Sequence, residues 1–371
     1  MTPRRRADEC CTTLPEDTVT RGYDPSDSTM PLPFLKLPIL NQNQVIKAME
    51  YNEIIKYSVI SKRTKRQVRT LRFEVDLLSW VFRDDGRYEI HIFKDEVMVG
   101  RLILPMDYQD YFWRNRRGGL IVGEDEDVRD EPLESEVDWI DPAGKSKMQV
   151  FQQLTKDVRD VVSIQNGYSL EVLTDITVTA DLFVFGITQE FEKVLLDVPG
   201  FEPPHRLTIE EVSYVMDQLT VKNLTIFDTG PEDYSHGVGL RCEHFTTDCT
   251  HWLGREVFLY MESKTVRIEE PNALNDHEIR SILMKWRRGL FPNLELFSMR
   301  LRRRSSINRE RILIGFQKVL WNPERPRNFR GYDLRRRRVV QSRDGDSANL
   351  WIQPGQEPVM HFIVWKGVNM E

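Results

Sequence analysis

The sequence has few cysteines, no long apolar run and no glycine-rich phosphate loop, and each absence excludes a class of protein. Only four of its 371 residues are cysteines, too few and too scattered for a disulfide framework. No stretch approaches the roughly 18 apolar residues of a transmembrane helix. The first residues are charged but lack the apolar core of a secretory signal. We therefore expect a protein of the cytoplasm or the nucleus.

The composition is that of a folded protein with two or three structural units. Hydrophobic residues make up 40% of the chain and charged residues 30%, which is enough for buried cores and a hydrated surface. The formal net charge of −6 argues against a general nucleic-acid binder, although local basic patches remain possible.

No group of residues predicts an enzyme. Cys242 and His244, followed by Cys249 and His251, supply four possible zinc ligands, but one intervening residue is not the usual spacing of structural zinc sites. No phosphate-binding loop lies between a strand and a helix, and no nucleophile, base and orienting group are specified. We expect no catalytic residue, no bound metal and no cofactor.

The organising stretch is 31–68, a set of short helices with more apolar residues than so small a unit can bury. Val45, Ile46 and Met49 recur at helical spacing, and a second apolar group includes Ile54 and Ile55. A unit of this size is marginal alone and usually needs a partner or a neighbouring domain. It is either a docking module for another protein or a three-helix subdomain without a partner.

These residues resemble an F-box, in the nematode-type variety that precedes an F-box-associated type 2 domain. The resemblance rests on Leu37-Pro38, the helix around Val45, Ile46 and Met49, and the Ser61–Thr64 tail. It implies docking on the Skp adaptor of a cullin–RING ubiquitin ligase. The polar run 41–44 departs from the family pattern and is expected to shorten the first helix or weaken docking. The implied adaptor-binding residues are Leu37, Pro38, Val45, Ile46, Met49, Ile54, Ile55 and Val59.

The next part of the chain predicts an antiparallel meander and then an acidic linker. The runs 75–82 and 88–93 have strand composition, and Asp84-Asp85-Gly86 between them has the chemistry of a hairpin turn. The apolar pattern continues on both sides of Gly100. The region 123–147 is rich in acidic residues and predicts a solvated linker.

From about residue 148 the pattern becomes helix followed by strand. A helix over 151–163 precedes strands at 169–172 and 181–185. Two later helices begin with capping boxes, at Thr208 and at Asn275, and each is followed by an apolar strand. Short connections favour parallel neighbours. We expect an irregular leucine-rich-repeat-like solenoid or a curved α/β layer.

This second region resembles the F-box-associated type 2 domain. The Lys285-Trp286 pair at a helix end and the Pro292–Glu295 sequence after it are the most specific matches, together with Gly345 in a closing turn and a final Val364-Trp365 strand. The family implies that this domain binds the target protein.

Two arginine clusters are the strongest local charge features. Arginine forks bind phosphate, so they could recognise a phosphorylated target; they could also contact nucleic acid, or be solvated surface. As target- or phosphate-binding candidates we take Arg300, Arg302, Arg303, Arg304, Arg335, Arg336, Arg337 and Arg338.

The sequence thus predicts a mixed α+β and α/β protein that is a non-catalytic subunit of an SCF-type ubiquitin ligase. Its expected partners are the Skp adaptor, the cullin scaffold and a target protein. The alternative is a ligase-independent module that binds phosphate or nucleic acid through the two arginine clusters. The expected parts are a disordered tail (1–29), an F-box (30–70), a β-rich connecting region (71–122), an acidic linker (123–147) and a target-binding domain (148–371).

Overall fold

The structure is a computed structural model, and the chain divides into two compact units, 1–45 and 46–371. The residues that the structure describes are 34–104, 135–136, 146–174, 176–197, 207–227, 235, 237, 239–248, 252–253, 257–269, 274–301, 307–316, 318–319, 328–329, 332–333, 339–342, 346–353 and 358–365. The predicted tail and most of the predicted acidic linker lie outside them.

Three N-terminal helices form where the sequence predicts them. They are α1 (Ile39–Ala48), α2 (Tyr51–Val59) and α3 (Lys62–Leu71), preceded by a 3-10 turn at Phe34–Lys36. Reciprocal capping boxes begin α2, between Glu50 and Glu53, and α3, between Ser61 and Thr64. The polar run 41–44 does not shorten the first helix, which continues through it.

One 14-stranded sheet organises the second unit. Its order is β11-β14-β15-β16-β10-β9-β8-β7-β6-β5-β1-β2-β3-β4, and β12 and β13 form a separate pair. The strands are β1 (Phe73–Phe82), β2 (Tyr88–Lys94), β3 (Val97–Leu104), β4 (Ser135–Glu136), β5 (Val162–Val172), β6 (Glu190–Asp197), β7 (Thr220–Phe227), β8 (His244–Thr247), β9 (Thr265–Ile268), β10 (Leu296–Arg300), β11 (Lys318–Val319), β12 (Asn328–Phe329), β13 (Tyr332–Asp333), β14 (Val339–Gln341), β15 (Ser347–Gln353) and β16 (Val359–Trp365).

The centre of this sheet is parallel and its flanks are largely antiparallel. Strands β1 and β5 to β10 are parallel to one another, and β5 to β10 follow one another across the sheet in chain order. At the two ends of this parallel part, β1 is antiparallel to β2 and β10 is antiparallel to β16. The predicted meander is confirmed as β1, β2 and β3, with Gly86 at φ 79° in the first turn. It belongs to the same sheet as the parallel strands. The protein is therefore mixed α/β, as the sequence predicts in outline.

Four more helices are described: α4 (Lys147–Val161), α5 (Ile209–Gln218), α6 (Asp276–Arg287) and the short α7 (Arg309–Ile312). The predicted capping boxes are confirmed, with Glu211 N donating to Thr208 Oγ1 at 3.2 Å and Glu278 N donating to Asn275 Oδ1 at 3.1 Å. Gly289, at φ 79°, follows α6 and allows the left-handed turn that ends it.

The predicted strand at 181–185 is wrong. Phe183–Gly186 is a 3-10 turn in which Val184 and Phe185 are buried. The chain must return from the end of β5 to the start of its parallel neighbour β6, and an apolar turn does this while covering the core. A short apolar run does not distinguish these two structures by composition alone.

A buried pattern recurs in five successive strand segments. In each, the first, fourth and sixth positions are buried, so their side chains face the core. The segments are Phe191-Val194-Leu196, Val221-Leu224-Ile226, Cys242-Phe245-Thr247, Ser263-Val266-Ile268 and Leu294-Phe297-Met299. In the first three segments the positions between them are more exposed and more polar, whereas Thr265, Leu296 and Ser298 in the last two are also buried.

Candidate partner-binding site

The first unit carries an exposed apolar segment that we call the N-terminal apolar segment, Leu35 to Val45. Within it, Leu35 is 53% exposed, Ile39 55%, Leu40 72% and Val45 41%. Large apolar side chains clustered on a short exposed stretch are typical of protein-binding sites. Of the predicted docking residues, Val45 and Pro38 are exposed, and Leu37 is half-buried.

The backbone of this segment is held in a defined conformation by one buried amide. Gln42 is 2% exposed, and its Nε2 donates to the carbonyl oxygens of Leu37 at 2.6 Å and Leu35 at 3.3 Å. These bonds tie the 3-10 turn to the start of α1. The apolar side chains on either side of Gln42 are therefore presented from an ordered surface.

Three predicted docking residues are not available to a partner in this fold. Ile46, Ile54 and Ile55 are at most 1% exposed, so the expectation that they seat in an adaptor does not fit the structure. Apolar residues recur at the same helical spacing whether they are buried by their own chain or by a partner protein. The spacing alone therefore does not show which of the two covers them. Met49 and Val59 are half-buried.

Helix α2 is fixed to the sheet through polar contacts as well as apolar ones. The Asn52 side-chain oxygen accepts a hydrogen bond from the Arg101 backbone at 3.0 Å, which joins α2 to β3. The Tyr51 hydroxyl donates to the Glu74 carbonyl at 3.0 Å, which joins it to β1. Because α2 is anchored on the sheet, its buried isoleucines belong to the core of the second unit.

Sequence reasoning missed Leu40, the most exposed large apolar residue in the N-terminal apolar segment. A usable signal was present: Ile39 and Leu40 are adjacent and are followed by the polar run 41–44. Neither has an apolar residue three or four positions later, so neither continues into a buried helical stripe.

The polar face of the parallel sheet carries a row of alternating charges near the strand starts. Lys222 Nζ lies 2.7 Å from Glu192, and Lys264 Nζ lies 2.5 Å from Glu243. The hydrogen bond and the negative charge of Glu192 raise the pKa of Lys222. These charges are paired with one another, so the row reinforces strand order and leaves little net charge.

Most of the predicted arginine candidates lie outside the described residues, namely Arg302, Arg303, Arg304, Arg335, Arg336, Arg337 and Arg338. Arg300 is described, and its guanidinium lies 3.0 Å from a carboxylate oxygen of Glu269. That ion pair is a structural contact between β10 and the end of β9.

Cys242 is a buried thiol whose Sγ lies 3.9 Å from the Ser263 hydroxyl. Burial raises the pKa of Cys242 to about 11, so the thiolate is scarce at neutral pH and the residue is a poor nucleophile. Cys249 and His251 lie outside the described residues. Among those that are described, no three His, Cys, Asp or Glu side chains are grouped to hold a metal.

No protein-family model matches this chain, and neither a curated protein nor a solved structure matches it. None of the helices in the described ranges is long and apolar enough to cross a membrane.

Proposed function

We propose that this protein is the substrate-recognition adaptor of an SCF-type cullin–RING ubiquitin ligase, with an N-terminal F-box that docks on the Skp adaptor. The observation that carries the proposal is the N-terminal apolar segment, where Leu35, Ile39, Leu40 and Val45 are all exposed. Fully burying a Leu, Ile or Val side chain contributes about 1.5–3 kcal/mol, so a partner that covers these four partly exposed side chains gains several kcal/mol toward the cost of association.

The docking face differs from the one expected from sequence. It is centred on the 3-10 turn and the start of α1, since Ile46, Ile54 and Ile55 are buried within the chain. In this proposal, α2 does not contact the adaptor through its buried isoleucines.

We further propose that the second unit is an irregular leucine-rich-repeat-like solenoid that binds the target protein. Burial at positions one, four and six of five strand segments is the spacing of the Leu-x-x-Leu-x-Leu repeat. Such repeats present one face of a parallel sheet to a ligand. The protein does no chemistry itself; it raises the effective concentration of the target beside the ubiquitin carrier.

Titration calorimetry of the full chain with a purified Skp adaptor tests the docking face. In Ile39→Asp/Leu40→Asp, two exposed side chains change at the start of α1, where added acids suit the helix dipole and the fold is retained. Losing two buried contacts at about 1.5 kcal/mol or more each is expected to weaken binding at least ~100-fold.

The matched control is Val97→Asp/Met98→Asp, which changes two exposed apolar residues at the start of β3. It is expected to bind the adaptor as the parent chain does. No binding by the parent chain, or equal loss in both double variants, contradicts the proposal.

A further inference from the structure

Helix α6 carries three cations and the residue that caps its end is a fourth, and none of them forms an ion pair in the described part of the chain. They are Arg280, Lys285, Arg287 and Arg288. The carboxylates of this helix, Asp276 and Glu278, lie in its first turn, at the opposite end. The chain as a whole has a formal net charge of −6, so this is a local group of positive charges on an acidic protein.

The side chains of three of these cations donate hydrogen bonds to backbone carbonyl groups. Arg280 Nη2 donates to the Ile314 carbonyl at 3.1 Å, and Lys285 Nζ donates to the Leu259 carbonyl at 3.1 Å. Arg287 donates to the Gly315 carbonyl. A carbonyl orients a cation but does not neutralise it, so the charges remain to attract an anion. Arg288 is exposed.

Exposed apolar side chains lie beside the same cations. Tyr260 is 63% exposed, and its ring lies 4.5 Å from Lys285 Nζ. Ile314 is 56% exposed and is the residue whose carbonyl Arg280 binds. Leu290 is 55% exposed just beyond the helix, where its N–H donates to the Lys285 carbonyl. Together with the four cations, these residues form a surface that we call the α6 patch.

Two simpler explanations account for only part of the α6 patch. Cations in the last turn stabilise a helix by interacting with its dipole, which explains Lys285, Arg287 and Arg288 individually. Isolated exposed apolar residues are common on protein surfaces. Neither accounts for three large apolar side chains beside four cations that lack carboxylate partners.

We propose that the α6 patch binds an acidic segment of a partner protein that also carries large apolar side chains. Acids on the segment pair with the guanidinium and ammonium groups, and its apolar residues cover Tyr260, Leu290 and Ile314. Nucleic acid supplies phosphates but leaves the aliphatic side chains of Leu290 and Ile314 uncovered, so a peptide fits the patch better. This surface is separate from the N-terminal apolar segment and does not depend on adaptor docking.

Fluorescence anisotropy with the full chain and three labelled synthetic peptides of equal length tests the proposal. The first alternates Glu with Leu and Phe, the second replaces Leu and Phe by Ser, and the third replaces Glu by Lys. We expect saturable binding of the first peptide, binding at least tenfold weaker for the second, and none for the third. Added salt is expected to weaken the first interaction, because the charges are exposed.

The test variant is Arg288→Glu/Leu290→Asp, which changes two exposed residues. Its control is Lys94→Glu/Val97→Asp, an equal change of charge and apolarity at the β2–β3 turn. The first variant is expected to bind the acidic–apolar peptide at least tenfold more weakly, and the control is expected to bind like the parent. Equal affinities of both variants, no peptide binding, or preferential binding to a DNA duplex or to anionic phosphatidylserine vesicles overturns the proposal.

Discussion

The ammonium group of Lys65 lies 2.6 Å from a carboxylate oxygen of Asp157, 92 residues away in the chain. It also lies 2.6 Å from Asp160. This contact joins α3 to α4, the helix that precedes β5. The basic helix predicted from Ser61 to Arg66 is thus joined by ion pairs to another helix of the second unit.

We predict that Lys65→Met lowers the free energy of unfolding by about 1–3 kcal/mol, because hydrogen bonds to charged groups contribute on that scale. Burial lowers the pKa of Lys65, but its bonds to Asp157 and Asp160 outweigh burial and raise it. The stabilisation is therefore complete at neutral pH and is lost only as the pH rises through the raised value.

Urea unfolding of the full chain measures this change. Lys62→Met is the matched control, because Lys62 lies exposed in the same helix and forms no ion pair with a residue that the structure describes. We expect the control to stay within about 0.5 kcal/mol of the parent. Equal stability of the two variants at pH 7 would show that the contact between α3 and α4 contributes nothing.

Local signals predicted the helices better than they predicted what the helices contact. Thr208 and Asn275 mark helix starts because a cap acts on residues three positions away, which the sequence displays directly. Whether Ile54 meets a partner or the rest of its own chain depends on Asn52 meeting Arg101, 49 residues later. Such long-range pairing leaves no local trace, so the docking face was placed partly on core residues.

The β-rich connecting region shows the same limit. Its hairpin was predictable from Asp85-Gly86, which favours a tight turn. Strand β1 pairs with β5, almost 90 residues later, and this pairing joins the meander to the parallel strands. No local sequence pattern predicts it. Local patterns predict the connecting region and the target-binding domain as separate parts, because they contain no information about strand pairing over such a distance.

Gly239 lies against the backbone of another segment, and this closeness predicts a stability effect. A Cβ atom at Gly239 would lie 2.0 Å from the carbonyl oxygen of Tyr260 and 2.7 Å from its carbonyl carbon. The segments are also joined by a hydrogen bond from Glu262 N to Leu240 O at 2.8 Å. Gly239→Ala must therefore displace backbone, and we expect a loss of about 3 kcal/mol.

Gly186→Ala is the control for this substitution. Gly186 ends a 3-10 turn, and a Cβ atom there meets nothing within 4 Å. Thermal unfolding of both variants is expected to show a lower midpoint for Gly239→Ala alone. A loss of the same size at Gly186 would attribute the effect to the removal of glycine rather than to the contact with Tyr260.

The last prediction concerns Glu89, a fully buried carboxylate on β2. Arg83 Nε lies 2.5 Å from one of its oxygens, while Arg101 Nε at 3.1 Å and His91 Nε2 at 2.6 Å contact the other. Burial raises the pKa of Glu89, but these hydrogen bonds outweigh it and hold the pKa far below its usual range. Glu89→Gln leaves Arg101 buried without its counter-charge, so we expect a loss of about 3–5 kcal/mol at pH 7.

The pH dependence separates this charge effect from a change in packing. Because the pKa of Glu89 is lowered on folding, its stabilisation is complete above the unfolded value of about 4.3 and is lost as the pH falls through the folded value. The stability difference between the parent chain and Glu89→Gln should therefore shrink below about pH 4. Exposed Glu74→Gln should show a small difference throughout. A difference for Glu89→Gln that does not change down to the acid unfolding transition would assign the loss to packing of the amide and not to the charge.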